Sequence, residues 1–431
     1  CSLVGSEMCI RDRYKIINDI NNYNNTQYRE TVLLQGDVGS GKTIVSLLTA
    51  IPFIQKHKQV AYMAPTEILA NQIYSNVLNH LDNEEVNPIL LTGSSKNKSK
   101  IYEKIEKGIF NFIIGTHAIF QENLNFSSLA YVIIDEQHRF GVQQRLYLAE
   151  KGVNTNILLM SATPIPRTLA LAQYGEIEQV ILKEKPAFQK PIITKVSNID
   201  KIKDIEILLK KKISNVSQVY WICPLVEASE TQKYKDVETR FKSLKNIFGS
   251  EVEMLHGKIK SDQKERIIQN FQKGNIKILV ATTVVEVGID NKNADYIVIE
   301  NAEKFGLSQL HQLRGRVGRG NNQGYCFALY GKDLPDNTIN RLKIFKENLD
   351  GFKLSEKDLE IRGTGDILGY RQSGDSLFKF VNVYHDQELI IDALQYVKKL
   401  IENKEYENEK FKKDIYKLSL IHISEPTRLQ D

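Results

Sequence analysis

The strongest constraint on the fold is a succession of short runs, rich in β-branched residues and apolar almost throughout, each followed by a stretch of helical character. In the first part of the chain the runs fall at residues 31–35, 60–64, 88–91, 112–115, 131–135 and 157–161. In the second part they fall at 219–223, 252–255, 278–282, 296–300 and 325–329. A strand with one wet face alternates apolar and polar side chains, whereas a strand covered on both faces does not. Strands of this second kind, separated by helices, predict an α/β fold with parallel sheets. The 431 residues suffice for two or three domains at ~100–200 residues each. Lys183–Pro191, with two prolines and several charges, predicts a linker between the two series. After Tyr330 a charged segment leads to a Gly-rich turn, Arg362–Gly374, and to a helix predicted over Asp386–Leu418. There Leu389, Ile390, Leu394, Val397 and Ile401 recur at helical spacing. That helix is expected to pack on the second domain.

Composition narrows the class. With 42% hydrophobic and 26% charged residues, a soluble, well-packed globular protein is expected. No apolar run approaches the ~20 residues of a membrane-spanning helix, so no membrane partner is expected, and no secretory signal is read. Cys1, Cys9, Cys223 and Cys326 form no C-x-x-C pair, which argues against a zinc site or disulfide framework and for a reducing cytoplasm. The net charge of +5 permits nucleic-acid binding without arguing for it. The ends differ from the interior. Cys1–Arg13 and Ser419–Asp431 contain neither Asn nor Lys, in a chain otherwise heavy in both. Residues 1–13 and 419–431 read as translated sequencing-library adapters, non-native and set aside from fold reasoning; ordinary frayed termini are the alternative.

Gly36-Asp37-Val38-Gly39-Ser40-Gly41-Lys42-Thr43 fits G-x-x-x-x-G-K-[ST] and lies between a predicted strand and a predicted helix, Thr43–Ile51. Gly36, Gly39, Ser40 and Gly41 let backbone N–H groups curl around phosphate oxygens at a helix start. Lys42 is expected to reach the β- and γ-phosphates of ATP, and the Thr43 hydroxyl to ligate Mg²⁺. A chance Gly-rich turn is the bland alternative, and the strand–loop–helix context weighs against it. The strand at 131–135 ends in Asp135-Glu136. Asp135 is a candidate Mg²⁺ ligand and Glu136 the candidate general base that polarises water. An apolar strand ending in two acids is usually just solvated, but downstream of a phosphate loop the pair gains meaning. Gln137 and His138 follow, and His138 is a candidate reader of the γ-phosphate state rather than a surface residue.

At this point the chain resembles helicase superfamily 2. Ala64–Glu67 looks like motif Ia, Thr92–Ser94 falls where motif Ib is expected, and Gly115–His117 is similar to a DNA-contacting turn. Ser161-Ala162-Thr163 matches motif III, Thr282–Asp290 resembles motif V, and Gln312–Arg319 is similar to motif VI. On this resemblance Asp290, Arg316 and Arg319 join the nucleotide site, the two arginines stabilising the departing phosphate when two domains close. An Arg-Gly-rich nucleic-acid tail is the competing reading of that last stretch. Thr66, Thr116, Thr282 and Thr283 end apolar strands, where hydroxyls and helix-start N–H groups can bind DNA phosphates, and His256 is a similar candidate. Taken singly, each Thr is more often a helix cap. The DNA contacts are expected on the edge of the sheets opposite the nucleotide.

Over roughly Tyr14–Leu418 the resemblance narrows to the bacterial RecG family. It rests on LLQGDVGSGKT (Leu33–Thr43), GTHAIFQE (Gly115–Glu122), IIDEQHRFGVQQR (Ile133–Arg145), SATPIPRTLAL (Ser161–Leu171), ATTVVEVGID (Ala281–Asp290) and FGLSQLHQLRGRVGRG (Phe305–Gly320). Mfd, the transcription-repair coupling factor, is the related family weighed against it. Gln35, Ser40, Gln137 and His311 stand where its motifs differ. Lys357–Gly374 looks like the translocation hairpin of both families, with Arg362 and Arg371 in its coupling network, Thr364 where Pro is usual and Tyr370 where Thr is frequent. The implied architecture is two tandem RecA-like parallel-sheet domains, residues 14–185 and 186–345, with a hairpin and C-terminal helical region at 346–418.

The implied activity is that of a DNA helicase: ATP-driven translocation on double-stranded DNA, with branch migration of stalled forks and Holliday junctions in recombination and repair. Branched DNA is the implied partner and single-stranded DNA-binding protein a further candidate. The expected state is a monomer in the bacterial cytoplasm, at the nucleoid. Two features of a complete family member are not read here: an N-terminal wedge domain, and a glutamine near residues 11–14 that recognises adenine. The rival readings are an Mfd-like motor, a non-catalytic DNA-binding fragment, and a helicase acting on RNA.

Overall fold

The computed structural model describes residues 2–24, 30–81, 85–136, 151–152, 154–162, 177–183, 190–212, 217–224, 235–282, 291–320, 322–332, 334–362 and 386–403. The chain divides into two compact units, Cys1–Ile165 with Glu176–Ile361, and Pro166–Gly175 with Arg362–Asp431.

In the first unit, helix α1 (Ser2–Asn24) precedes β1 (Thr31–Gly36), α2 (Lys42–Gln55), β2 (Gln59–Met63), α3 (Glu67–His80), β3 (Pro88–Leu91), α4 (Lys98–Glu106), β4 (Phe112–Gly115), β5 (Leu129–Ile134), β6 (Asn156–Ser161) and β7 (Glu178–Leu182). Among the described residues these strands form one sheet in the order β3-β4-β2-β5-β6-β1-β7, every pair parallel. The chain continues through β8 (Ile193–Asn198), α5 (Ile202–Lys212), β9 (Gln218–Ile222), α6 (Lys235–Phe248), β10 (Val252–Leu255), α7 (Ser261–Gln272), β11 (Ile278–Ala281), β12 (Ala294–Ile299), α8 (Leu307–Arg314), β13 (Tyr325–Tyr330), α9 (Asp336–Glu347) and α10 (Gly351–Arg362). The second sheet, also parallel throughout, has the order β10-β11-β9-β12-β13-β8. In the second unit α11 (Gln387–Glu402) is described, with Leu389, Tyr396 and Val397 exposed. None of the described helices is long and apolar enough to cross a membrane.

Uniformly apolar strands find cover on both faces, as their composition requires. In the second sheet Tyr220 and Ile222 of β9 join one core, with Leu279, Ile297 and Ile299, while Val219 and Trp221 join another, with Val280 and Val298. Successive side chains thus enter opposite layers, and both layers are dry. In the first sheet Leu34, Tyr62, Ile114, Ile133 and Met160 share a core that also takes Ile16 and Ile20 of α1. Helix α1 therefore runs unbroken through the adapter-like residues into a stretch packed on the sheet.

Two strands escape the sequence pattern. Both β7 and β8 are edge strands, pairing on one side only with β1 and β13. An edge strand is partly wet, and Glu178, Gln179, Lys195 and Ser197 interrupt the apolar run accordingly.

Each sheet is pinned where a strand begins by a buried glutamine that no motif announces. Gln59 Nε2 donates to Ile105 O at 2.8 Å and Phe110 O at 2.8 Å, and its Oε1 accepts from Ser127 Oγ and Ser128 N. Gln218 Nε2 donates to Phe271 O and Ile276 O, both at 2.5 Å, and its Oε1 accepts from Asn291 Nδ2 at 3.1 Å. Each amide ties a strand start to the turn that follows a helix on the neighbouring crossover. Gln218→Leu keeps the volume and removes the hydrogen bonds to Phe271 O, Ile276 O and Asn291 Nδ2. It is expected to lower the unfolding free energy by about 2–3 kcal/mol, measured by urea denaturation; a loss under about 0.5 kcal/mol would show that the clamp is dispensable.

Candidate functional site

The phosphate loop grows out of a fully dry strand. From Val32 to Gly36 β1 is buried, and the chain leaves it in a turn closed by Ser40 N donating to Asp37 O at 3.1 Å. Gly39 (φ 79°) and Gly41 (φ 98°) adopt left-handed backbone conformations that a Cβ would strain. Helix α2 then starts at Lys42, anchored by Val45, Leu47, Ala50 and Ile54 in the core, so its N-terminal N–H groups open onto the loop. Lys42 Nζ lies inside the loop, donating to Gly36 O at 2.7 Å and Asp37 O at 3.1 Å. Arg13 of α1 touches the outside, its Nη2 donating to Ser40 O at 2.8 Å.

The acidic pair follows β5, separated from β1 by β6 alone. Asp135 N donates to Met63 O at 2.9 Å, extending the ladder by one step, and Glu136 N donates to Asp135 Oδ1 at 2.9 Å. Glu136 has φ 48°, rare for a residue with a side chain and typical of strain held at a working site. Burial, then the Glu136 charge, push the Asp135 carboxyl up to about 7, with Lys42 opposing. Burial likewise lowers Lys42, opposed by Glu136, Asp135 and Asp37 and reinforced by Arg319. Both acids and the second-domain Arg319 thus act on the loop lysine at one half-buried spot.

The second domain meets the loop through α8 and the turn after it. Leu307, Leu310 and Leu313 bury one face of α8, which directs His311 toward the first domain and Arg314 toward the end of α9. His311 Nε2 is hydrogen-bonded to Asp37 Oδ1, which also accepts from Val38 N at 2.6 Å. Arg314 Nη2 lies 2.9 Å from His311 Nδ1, and Arg314 donates to Phe345 O and Asn348 O, each at 2.8 Å. Gly315 packs so tightly on the loop that a Cβ there would stand 2.8 Å from Val38 Cβ. Arg319 Nε donates to Gly315 O at 3.0 Å, and Arg319, Gly39, Val38 and His311 border a cavity of about 200 Å³. The sequence marks His311 only as a family difference. What could have marked it further is Arg314 three residues on, one turn along the same helix face.

Comparison with known proteins agrees with this geometry. Residues 15–172 match the DEAD/DEAH box helicase family and residues 199–321 the helicase conserved C-terminal domain. The chain is 49% identical over 365 residues to the ATP-dependent DNA helicase RecG of Borreliella burgdorferi, covering 83% of this chain and 53% of that relative. It is 42% identical over 396 residues to the enzyme of the same name from Haemophilus influenzae, covering 90% and 57%. The fold matches a solved structure of RecG bound to a three-way DNA junction, with TM-score 0.71, 37% identity, and coverage of 88% of this chain and 50% of that one. The chain belongs to the RecG helicase family. It spans about half the length of the curated relatives it matches. The DEAD-box helicase Mss116 bound to ssRNA and UDP-BeF shares the fold, with TM-score 0.63 and 19% identity over 82% of this chain and 77% of that one.

The DNA-contact candidates of this RecG-family chain do not lie on the opposite edge from the loop, as the sequence reading expected. Thr66 follows β2, Thr116 follows β4 and Ser161 ends β6, so all three sit on the C-terminal edge that also carries the loop and Asp135. Parallel pairing leaves no choice, since every strand of the sheet ends there. Their separation from the loop is lateral, Thr66 and Thr116 belonging to the β4-β2 side of the sheet. Thr66 caps α3, its Oγ1 accepting from Leu69 N at 3.3 Å, and Thr116 is buried before a short 3₁₀ turn. In the second sheet His256 follows β10, with Nδ1 accepting from Lys258 N at 3.3 Å and its pKa lowered mainly by burial. Thr282 follows β11, fully buried. His138, Thr163, Thr283, Asp290, Arg371 and the side chain of Arg362 lie outside the described residues.

The raised Asp135 carboxyl yields a signed prediction. The unfolded chain releases this proton near the ordinary value of 3.8, the folded chain only near about 7. Stability from this group is therefore complete below the first value and lost as pH rises through the second. Without nucleotide or divalent cation, Asp135→Asn is expected to raise the melting temperature more at about pH 8 than at about pH 5. Equal gains at both would contradict the assigned environment.

Proposed function

We propose that this chain is the motor region of a RecG-type ATP-dependent DNA helicase. In this reading ATP hydrolysis drives translocation on double-stranded DNA, and with it branch migration and reversal of stalled forks and Holliday junctions in recombination and repair. The observation that carries it is the meeting of two domains at one place: the Lys42 loop from one sheet, and the Gly315–Arg319 turn, seated on Val38, from the other.

The chemistry divides among the chain's own groups. Backbone N–H groups from Gly39 to Thr43 bind phosphate oxygens at the start of α2, and Lys42 exchanges its two loop carbonyls for the β- and γ-phosphates. Thr43 and Asp135 are the proposed Mg²⁺ ligands; a buried carboxyl whose charge is disfavoured by its protein surroundings fits a divalent cation. When bound, that ion supplies charge neutralisation on the β- and γ-oxygens. Glu136 takes the proton of the attacking water, and Arg316 and Arg319 stabilise charge on the departing phosphate. The domain contact then changes with nucleotide state, which makes hydrolysis mechanical. A monomer acting on branched DNA in the bacterial cytoplasm at the nucleoid, with single-stranded DNA-binding protein as a partner, completes the reading. The likeness to RecG bound to a three-way junction supports the branched substrate.

ATPase assays with forked DNA, linear duplex and RNA test this. Forked DNA is expected to stimulate most, Lys42→Ala to abolish the stimulation, and Arg319→Ala to lower kcat about 10³-fold with a smaller effect on KM. Equal stimulation by RNA, or no difference between the parent and Lys42→Ala, would overturn the proposal.

A further inference from the structure

The buried contact between Asp37 and His311 is not needed to hold a phosphate, and it lies at a place where one domain can sense the other. We infer that His311 is a positioning residue that reads the state of the phosphate loop and passes it to the turn between α9 and α10. The inference rests on the motor reading and extends it to a second, structural output.

Asp37, His311 and Arg314 are 6%, 5% and 1% exposed, so none can exchange a lost partner for bulk water at little cost. Arginine only donates, so the 2.9 Å contact from Arg314 Nη2 makes His311 Nδ1 the acceptor. The proton then sits on Nε2 and is donated to Asp37 Oδ1. Each link in this row has one direction. At its far end Arg314 holds Phe345 O and Asn348 O, the carbonyls where α9 ends, with its guanidinium 4.5 Å from the centre of the Phe345 ring.

The same turn returns to the start of the row. A Cβ on Gly351 would stand 2.6 Å from His311 Nε2 and 3.1 Å from Asp37 Oδ1, so the first residue of α10 rests directly on the Asp37–His311 pair. At the loop, Lys42 holds Asp37 O and Asp37 Oδ1 holds Val38 N. Phosphate oxygens that draw Lys42 and the loop N–H groups away necessarily change the restraints on Asp37. The row then transmits that change to Asn348–Gly351, because its members are packed and hydrogen-bonded at both ends.

Hydrogen–deuterium exchange of the whole chain, with and without the non-hydrolysable analogue AMP-PNP and Mg²⁺, tests this. In the parent, the nucleotide is expected to alter exchange by about fivefold or more both in the loop, residues 36–43, and in the turn, residues 345–351. In His311→Ala the loop response is expected to persist and the turn response to vanish, while His311→Gln, whose amide can still donate to Asp37, retains both. Gly351→Ala wedges the pair apart without removing a polar group, and is expected to behave as His311→Ala does. A turn response that survives in both His311→Ala and Gly351→Ala overturns the inference, as does a parent whose loop responds and whose turn does not. A parent in which neither segment responds overturns this inference and the motor reading together.

Discussion

Parallel strand pairing is the constraint on which the rest of the structure depends. It requires long crossovers, which become the helices that dry both faces of each sheet, and it brings every strand of a sheet to its C-terminal end at the same edge. Gly36, Asp135 and Ser161 therefore arrive together from β1, β5 and β6 although they are widely separated in the chain. No special long-range contact is needed to assemble that edge. Once the apolar strands pair in register, the loops leaving them have nowhere else to be.

What the sheets assemble, electrostatics makes reactive. Lys42, Asp135 and Glu136 are half-buried beside the packing that buries Tyr62, Ile133 and Leu34. In that setting Lys42 favours the ionised Asp135, the Glu136 charge disfavours it, and Arg319 adds a second cation from the facing domain. On the proposed reading, an incoming polyphosphate and divalent ion supply charge that the protein alone leaves uncompensated. Glu136, at φ 48°, holds backbone strain beside the loop, whose two left-handed glycines adopt that conformation freely.

Much of this was legible in the residues themselves. The strands at 112–115 and 278–281 stand out because a strand buried on both faces needs no polar partner in its sequence. Gly36–Thr43 stands out because few residue orders allow a loop to wrap around phosphate oxygens. The edge strands β7 and β8 are hidden for the converse reason, since Glu178 and Lys195 serve a partly wet surface and break the apolar run. Gln59 and Gln218 are hidden too: a lone polar residue at a strand start usually faces water, and only the carbonyls around it reveal a clamp.

The sequence by itself determined the parallel α/β architecture, the nucleotide loop and the acidic strand end, because each rests on local spacing and on burial that a short window encodes. The same parallel pairing puts the threonines on the loop's edge, a consequence the sequence reading did not draw. Only the tertiary structure decided that the loop's own aspartate is held by a histidine far along the chain, with two glycines, Gly315 and Gly351, close enough to Val38 and His311 that no side chain fits between. Such close approach is a property of two surfaces at once, and no stretch of one chain segment carries it.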